Sequence, residues 1–271
     1  MFTDSHCHIN YPQYLADLPK LLAEMQAAQV TRALCISTTL ETYPSVLQLA
    51  EHQPHIWATV GVHPDNEGVR EPTVEDLVAA AQNPRVVAIG ETGLDYYQME
   101  ARKGGRSVAD MEWQRDRFRT HIRAAQQAGL PMVIHTREAA DDTLAILREE
   151  GEDARQGASQ RTGGVFHCFT ESLEVAKAAL DLGYYISFSG IITFKNAAAL
   201  REVVGFVPLD RCLIETDSPY LAPAPHRGKE NTPAFVSLVA QQVAACKGIS
   251  VEAVAEATSR NFEQLFPKVL A

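Results

Sequence analysis

Two histidines separated by one residue, His6 and His8 in the run DSHCHI, stand almost at the start of the chain. On an extended strand successive side chains point to opposite faces, so these imidazoles share a face while Cys7 points away from it. Two imidazoles that close form half of a metal site; the alternative is a polar strand whose histidines are solvated. Further along come His63, Glu91, His135, His167 and Asp217. His6, His8, Glu91, His135, His167 and Asp217 make a nitrogen and oxygen donor set that suits zinc, manganese or magnesium better than soft metals. Six ligands exceed one tetrahedral site, so the set reads as two divalent ions sharing a carboxylate. Glu91 is the expected bridge, with His6, His8 and Asp217 completing one site and His135 and His167 the other. A single-metal site with spare histidines is the simpler alternative.

The elements that must position these residues can be counted. Short β-rich runs recur at 2–9, 31–38, 56–63, 86–92, 131–136, 164–169, 184–190 and 211–217. Between them lie helical spacings, such as Leu15, Leu18, Leu22 and Met25, or Phe118, Ile122 and Ala125. Strand and helix alternate, which implies parallel strands with right-handed crossovers, and eight such units predict an α/β fold, the (β/α)8 TIM barrel. A doubly wound open sheet is the competing arrangement. No composition break or linker interrupts the series, so residues 1–271 read as a single domain. On this map each candidate ligand falls at or near the C-terminal end of a strand, the face where barrel enzymes assemble sites from residues distant in sequence. His52 and His55 flank the end of a helix and His121 lies within a helical run, and all three are expected at the surface or at helix ends; His226, in the loop after strand eight, is left between rim contact and solvation. Two stretched connections, 98–110 and 151–164, are placed on the catalytic face and the opposite face respectively. Two helical patterns near 233–247 and 251–266 close the barrel.

The composition, 46% hydrophobic and 21% charged, is that of an ordinary globular protein. A formal charge of -10 argues against bulk attraction to nucleic acid, so any such contact must be local. Cysteines 7, 35, 168, 212 and 246 are scattered singly and odd in number, which disfavours a disulfide framework and fits a reducing cytoplasm. Cys7 and Cys168, beside candidate ligands, are expected to turn outward and pack. There is no signal-like start and no membrane-length apolar run, so a cytoplasmic protein with no membrane and no obligatory protein partner is expected.

DSHCHI, GVHP (61–64), GETGLDYY (90–97), VIHTRE (133–138), FHCF (166–169), SFSGIITFKNA (187–197), ETDSPYLAP (215–223) and RGKENTP (227–233) together resemble the TatD family of metal-dependent deoxyribonucleases, in order, from residue 1 to about residue 266. The resemblance implies a (β/α)8 barrel and divalent-metal-dependent DNA hydrolysis, usually 3′ to 5′ removal of nucleotides from single strands. It implies ligands at His6, His8, Glu91, His135, His167 and Asp217, and an additional active-site role for His63. The intact His-x-His places the chain with the branch that keeps the pair. The 98–110 and 151–164 segments are longer than the usual spacing of that family.

On this reading Asp217 ligates one ion and acts as general base, with Glu91 and His63 completing the catalytic set. Asp95 is expected to orient a histidine or bind substrate. Arg102, Lys103, Arg106, Arg137, Lys195, Arg227 and Lys229 follow strands and could make a basic mouth for phosphate, with Arg137 and Arg227 singled out; Asp65, Glu67, Asp95 and Glu171 share that rim, so ordinary solvated charge is the alternative. Tyr96, Tyr97, Phe169, Phe194 and Tyr220 could stack on unpaired bases, which would suit single-stranded 3′ ends of DNA. Rival readings are an amidohydrolase-type esterase or amidase, such as an aminoacyl-tRNA deacylase, and a small-molecule phosphoesterase.

Overall fold

A computed structural model describes residues 1–97, 107–153 and 161–270. Eight parallel strands follow one another in chain order around a nearly closed barrel: β1 (Phe2–Cys7), β2 (Val30–Cys35), β3 (Ile56–Val60), β4 (Val86–Asp95), β5 (Met132–Arg137), β6 (Gly164–Phe166), β7 (Tyr185–Phe188) and β8 (Cys212–Ile214). Parallel neighbours need a long crossover, and helices supply it. These are α1 (Pro12–Leu15), α2 (Leu18–Ala27), α3 (Tyr43–His52), α4 (Val74–Ala81), α5 (Glu112–Ala128), α6 (Ala140–Glu149), α7 (Leu173–Asp181) and α8 (Ala198–Phe206), with α9 (Val236–Lys247) and α10 (Val251–Leu265) after the last strand. No single helix among the described residues is long and apolar enough to cross a membrane.

Local sequence explains the element ends. The spacing from Leu15 to Met25 reads as one helix, but Asp17 breaks it by accepting the Lys20 N–H at 3.3 Å as the cap of α2, and Leu21 and Met25 take the buried positions. Thr73 and Asp76 form a reciprocal capping box at the start of α4. Most strands are shorter than their apolar runs: His63 and Asp217 lie three residues past β3 and β8, while β4 continues to Asp95.

One buried layer fills the space between strands and helices. A second lies inside the barrel: Trp57, Val87, Val133, Val165, Tyr185 and Leu213, each the first or second residue of its strand, meet Phe262, Leu265 and Phe266 from the end of α10. The N-terminal end of the barrel is therefore plugged with aromatic and aliphatic side chains.

The seam between β8 and β1 closes beyond the strands proper. Asp217 N–H donates to the His6 carbonyl at 2.9 Å, His8 N–H donates to the Ser218 carbonyl at 2.8 Å, and Cys7 bridges Ser218. Asp4 ties the same seam by accepting from the Thr216 N–H at 2.9 Å and the Thr216 hydroxyl at 2.5 Å.

His121 departs from the expected surface or helix-end role. It is fully buried on the inner face of α5, where one imidazole nitrogen accepts the Val62 N–H at 3.0 Å and Nδ1 donates to the Arg117 carbonyl at 2.8 Å. A helical period cannot show that a backbone N–H in a distant loop needs this acceptor. His52 and His55 are exposed, and His226 stacks on Phe235 with ring centroids 4.2 Å apart.

Candidate metal centre

The strand pleat carries the site. On β5, β6 and β8 the plug residues Val133, Val165 and Leu213 are each followed two positions later, on the same face, by His135, His167 and Glu215. Apolar burial at one end of the barrel thus sets the direction of polar side chains at the other. On β4, Gly93 lies between Glu91 and Asp95 at φ +127°, and a Cβ there would fall 1.9 Å from the His135 carbonyl oxygen. Only glycine permits β4 and β5 to approach so closely.

Glu91 is the centre of the cluster, and its two oxygens face different partners. Oε2 lies 3.3 Å from His6 Nε2 and 4.0 Å from His8 Nε2. Asp217 Oδ1 completes this side, 3.6 and 3.4 Å from the same two nitrogens. Oε1 lies 2.8 Å from His167 Nε2, 3.3 Å from His135 Nδ1 and 3.1 Å from His63 Nε2. The structure therefore brings together every residue expected at the metal centre, and adds His63 to the second group. Asp217 sits at φ +56° and Cys168 at +43°, a left-handed backbone that turns each away from simple strand alternation. For Cys168 this overturns the expected outward packing: it lines the cavity, with Sγ 3.2 Å from the Ser189 hydroxyl. Cys7 is buried, its thiol donating to the Leu34 carbonyl at 3.4 Å.

Burial acts to raise the Glu91 pKa, but the charges of His167, His63 and His6 prevail and hold its carboxyl well below the usual range. Burial opposes a proton on His167, yet Glu91 and Glu215 push it well up. Burial also opposes a proton on His63, but Glu91 and Asp65 outweigh it and push the imidazole up to about 10. His6 moves the other way, held down by burial and by the charge on His167. Asp217 is kept ionised: burial disfavours its charge, while hydrogen bonding to His8 and the nearby histidines more than compensate. A buried carboxylate pair in this field demands positive charge, and divalent cations held by imidazole and carboxylate donors meet that demand. The donor set fits them.

Sequence reasoning missed the residues behind these. Glu215, fully buried, places Oε1 3.2 Å from His167 Nδ1 and accepts the Cys168 N–H at 2.8 Å. Asp4, pushed up to about 8 by burial against its hydrogen bonds, holds the His6 backbone N–H at 3.2 Å. Each lies two residues before a singled-out residue, in DSH and ETD, and that same-face spacing was the available signal. From α5, Gln114 holds both backbone groups of Asp95, at 2.9 and 3.1 Å, and Arg117 donates to the His63 carbonyl at 2.9 Å. Nothing in their spacing announces these partners.

The cluster floors a cavity of about 690 Å³ lined by Tyr11, Asp95, Arg137, Ile191 and Tyr220 among others. Asp95 is buried and contacts His135 Nε2 at 3.1 Å. Arg137 stacks over Tyr97 at 3.5 Å and Arg227 over Phe194 at 3.8 Å, both guanidinium groups exposed on the rim. Of the expected stacking residues, Tyr96 and Phe169 are buried, their rings committed to packing, so they offer no face to a base. Tyr220 is 51% exposed and meets Tyr11 hydroxyl to hydroxyl at 3.2 Å. Lys195 and Lys229 are exposed; Arg102, Lys103 and Arg106, with most of the two stretched segments, lie outside the described residues.

A parallel eight-stranded barrel with histidines and carboxylates gathered at its C-terminal mouth defines a metal-dependent hydrolase. The chain belongs to the TatD-related DNase family, whose model matches residues 3–267. It is 46% identical over 267 residues to the metal-dependent hydrolase YcfH of Escherichia coli (strain K12), covering 97% of this chain and 94% of that one. It is 33% identical over 269 residues, 97% of each chain, to the 3′-5′ ssDNA/RNA exonuclease TatD of Citrobacter rodentium (strain ICC168). The crystal structure of YJJV, a TatD homologue from Escherichia coli K12, superposes with a TM-score of 0.86 at 29% identity, covering 98% of both chains.

Proposed function

We propose that the protein hydrolyses phosphodiester bonds of single-stranded DNA from the 3′ end, using two divalent cations. His6, His8, Glu91 and Asp217 hold one, Glu91, His135 and His167 the other. The observation that carries this reading is the division of Glu91 between two imidazole groups at the floor of an open cavity. Zinc, manganese or magnesium at these donors supplies Lewis acidity to phosphate oxygens and lowers the pKa of an attacking water.

The chain's own residues do the rest. Asp217 lines the cavity, is ionised, and has a second carboxylate oxygen with which to accept the proton of the water that attacks phosphorus. His63 lines the same cavity with its Nδ1 2.5 Å from Asp65, which orients the ring toward the reacting phosphate. The guanidinium groups of Arg137 and Arg227 lie flat against aromatic rings and make no hydrogen bond to another described residue, so their N–H edges can turn to phosphate oxygens. Tyr220 and Tyr11 offer ring surface at the rim, where an unpaired base can stack and a duplex cannot.

The test uses metal-stripped protein repleted with zinc, manganese or magnesium in turn, assayed on single-stranded DNA, duplex DNA, RNA and an aminoacyl ester. Release of mononucleotides from 3′ ends of single-stranded DNA is expected. Ester cleavage with nucleic acid untouched would replace this reading with the deacylase one.

A further inference from the structure

Behind the cluster, on the side of the imidazoles away from Glu91, lies a second carboxylate. His6 and His167 stack face to face, ring centroids 3.8 Å apart and planes 9° from parallel. Both present Nε2 to Glu91, so their Nδ1 atoms are left for other partners. His167 Nδ1 lies 3.2 Å from Glu215 Oε1. Among the described residues, two buried atoms here have no hydrogen-bond partner, His6 Nδ1 and Glu215 Oε2. Buried polar atoms without partners are rare, and these two are complementary, one a ring nitrogen able to donate and the other a carboxylate oxygen able only to accept. Glu215, His6 and His167 each offer a donor atom within 4.8 Å of the others.

We propose that Glu215 is a positioning residue shared by both halves of the centre, fixing the Nδ1–H tautomer of His167 through Oε1 and of His6 through Oε2, directly or across one water. This rests on the reading of His6 and His167 as cation ligands. An imidazole whose Nδ1 carries the hydrogen has its lone pair at Nε2, where a cation binds, and a carboxylate on the N–H makes that lone pair more basic. Glu91 joins the two groups on the cation side; Glu215 joins them on the far side. Its place is set by backbone as much as by side chain, because Oε1 also accepts the Cys168 N–H and Glu215 follows β8 directly.

Glu215→Gln tests this. An amide has one acceptor oxygen for two imidazole N–H groups, and its NH₂ forces the ring it faces into the opposite tautomer, with hydrogen at Nε2. Displacement of zinc into a chromogenic chelator, without substrate, should show both cations held more weakly in E215Q. The loss should be about 10- to 100-fold for the cation whose imidazole meets the NH₂. Unchanged affinity for either cation would overturn the proposal. In zinc-loaded protein carrying ¹⁵N-labelled histidine, long-range ¹H–¹⁵N spectra should show hydrogen on Nδ1 of both His6 and His167; hydrogen on Nε2 of His6 would overturn it. Binding through Nε2 by itself puts hydrogen on Nδ1, so the deciding signature is the shift of that hydrogen: both Nδ1 protons should lie downfield of a water-exposed imidazole N–H, as donors to a carboxylate do, and an ordinary shift in the wild-type spectrum would overturn the proposal even if E215Q does not fold. Neither measurement involves cleavage of nucleic acid, so a failure here is distinct from a failure of the substrate reading.

Discussion

The two ends of the barrel interior are built from the same strands and obey different physics. At the N-terminal end Val133, Val165 and Leu213 close on Phe262 and Phe266; two residues further along, His135 and His167 meet Glu91, and Glu215 stands behind His167. The lower layer is held by the removal of apolar surface from water, which tolerates any well-fitting hydrophobic shape. The upper layer keeps polar groups out of water, which is stable only while each meets a partner of the right kind. The plug carries the stability that lets the mouth hold a charged cluster around a buried carboxylate.

That contrast can be broken from either end, and the largest effect belongs to the mouth. Asp217→Asn is expected to lower kcat by about 10²- to 10⁴-fold or more, the range for a lost general base. Asparagine tolerates the left-handed backbone at this position, so the denaturant midpoint should barely move. Near-normal turnover with metal bound would remove Asp217 from the chemistry. Phe262→Ala should do the reverse, costing about 3–5 kcal/mol in urea unfolding while kcat of the folded fraction persists.

A smaller effect sharpens the boundary between the layers. His121, neutral in the core, is pushed down to about 4 by burial, whereas in the unfolded chain it titrates near 6.5. Between those values the unfolded state binds a proton that the folded state does not. Stability is therefore complete above about pH 6.5 and declines as pH falls toward 4, by at most about 3 kcal/mol from this group. Glutamine can still accept the Val62 N–H, so H121Q should flatten that part of the pH profile of unfolding free energy; an unchanged slope would contradict the neutral buried imidazole. The smallest effect is expected at the rim. Arg227→Ala should raise KM for an oligonucleotide about fivefold or less, with kcat held, because an exposed charge contact contributes up to about 1 kcal/mol.

How much was legible follows from the range of each signal. Alternating apolar runs and helical spacings announced the barrel because periodicity is local. The metal-centre candidates announced themselves as histidines and acids at the ends of those runs. Glu215 and Asp4 were overlooked though each stood two residues from a chosen residue, since a carboxylate that serves another side chain looks like any other acid in one dimension. Gln114, Arg117 and His121 were not legible at all: they lie on α5 and act on the backbone of Asp95, His63 and Val62, a relation that exists only once the helix has packed.

The amino-acid order alone determined the alternation of strands and helices, the clustering of ligand-type residues after strands, and the glycine that lets β4 approach β5. The tertiary structure decided which oxygen of Glu91 faces which imidazoles, which aromatic rings are left for a substrate, and which carboxylates stand behind the histidines. Pattern along a chain fixes the face a side chain takes, whereas distances between residues far apart in sequence are set by how strands twist, close and pack.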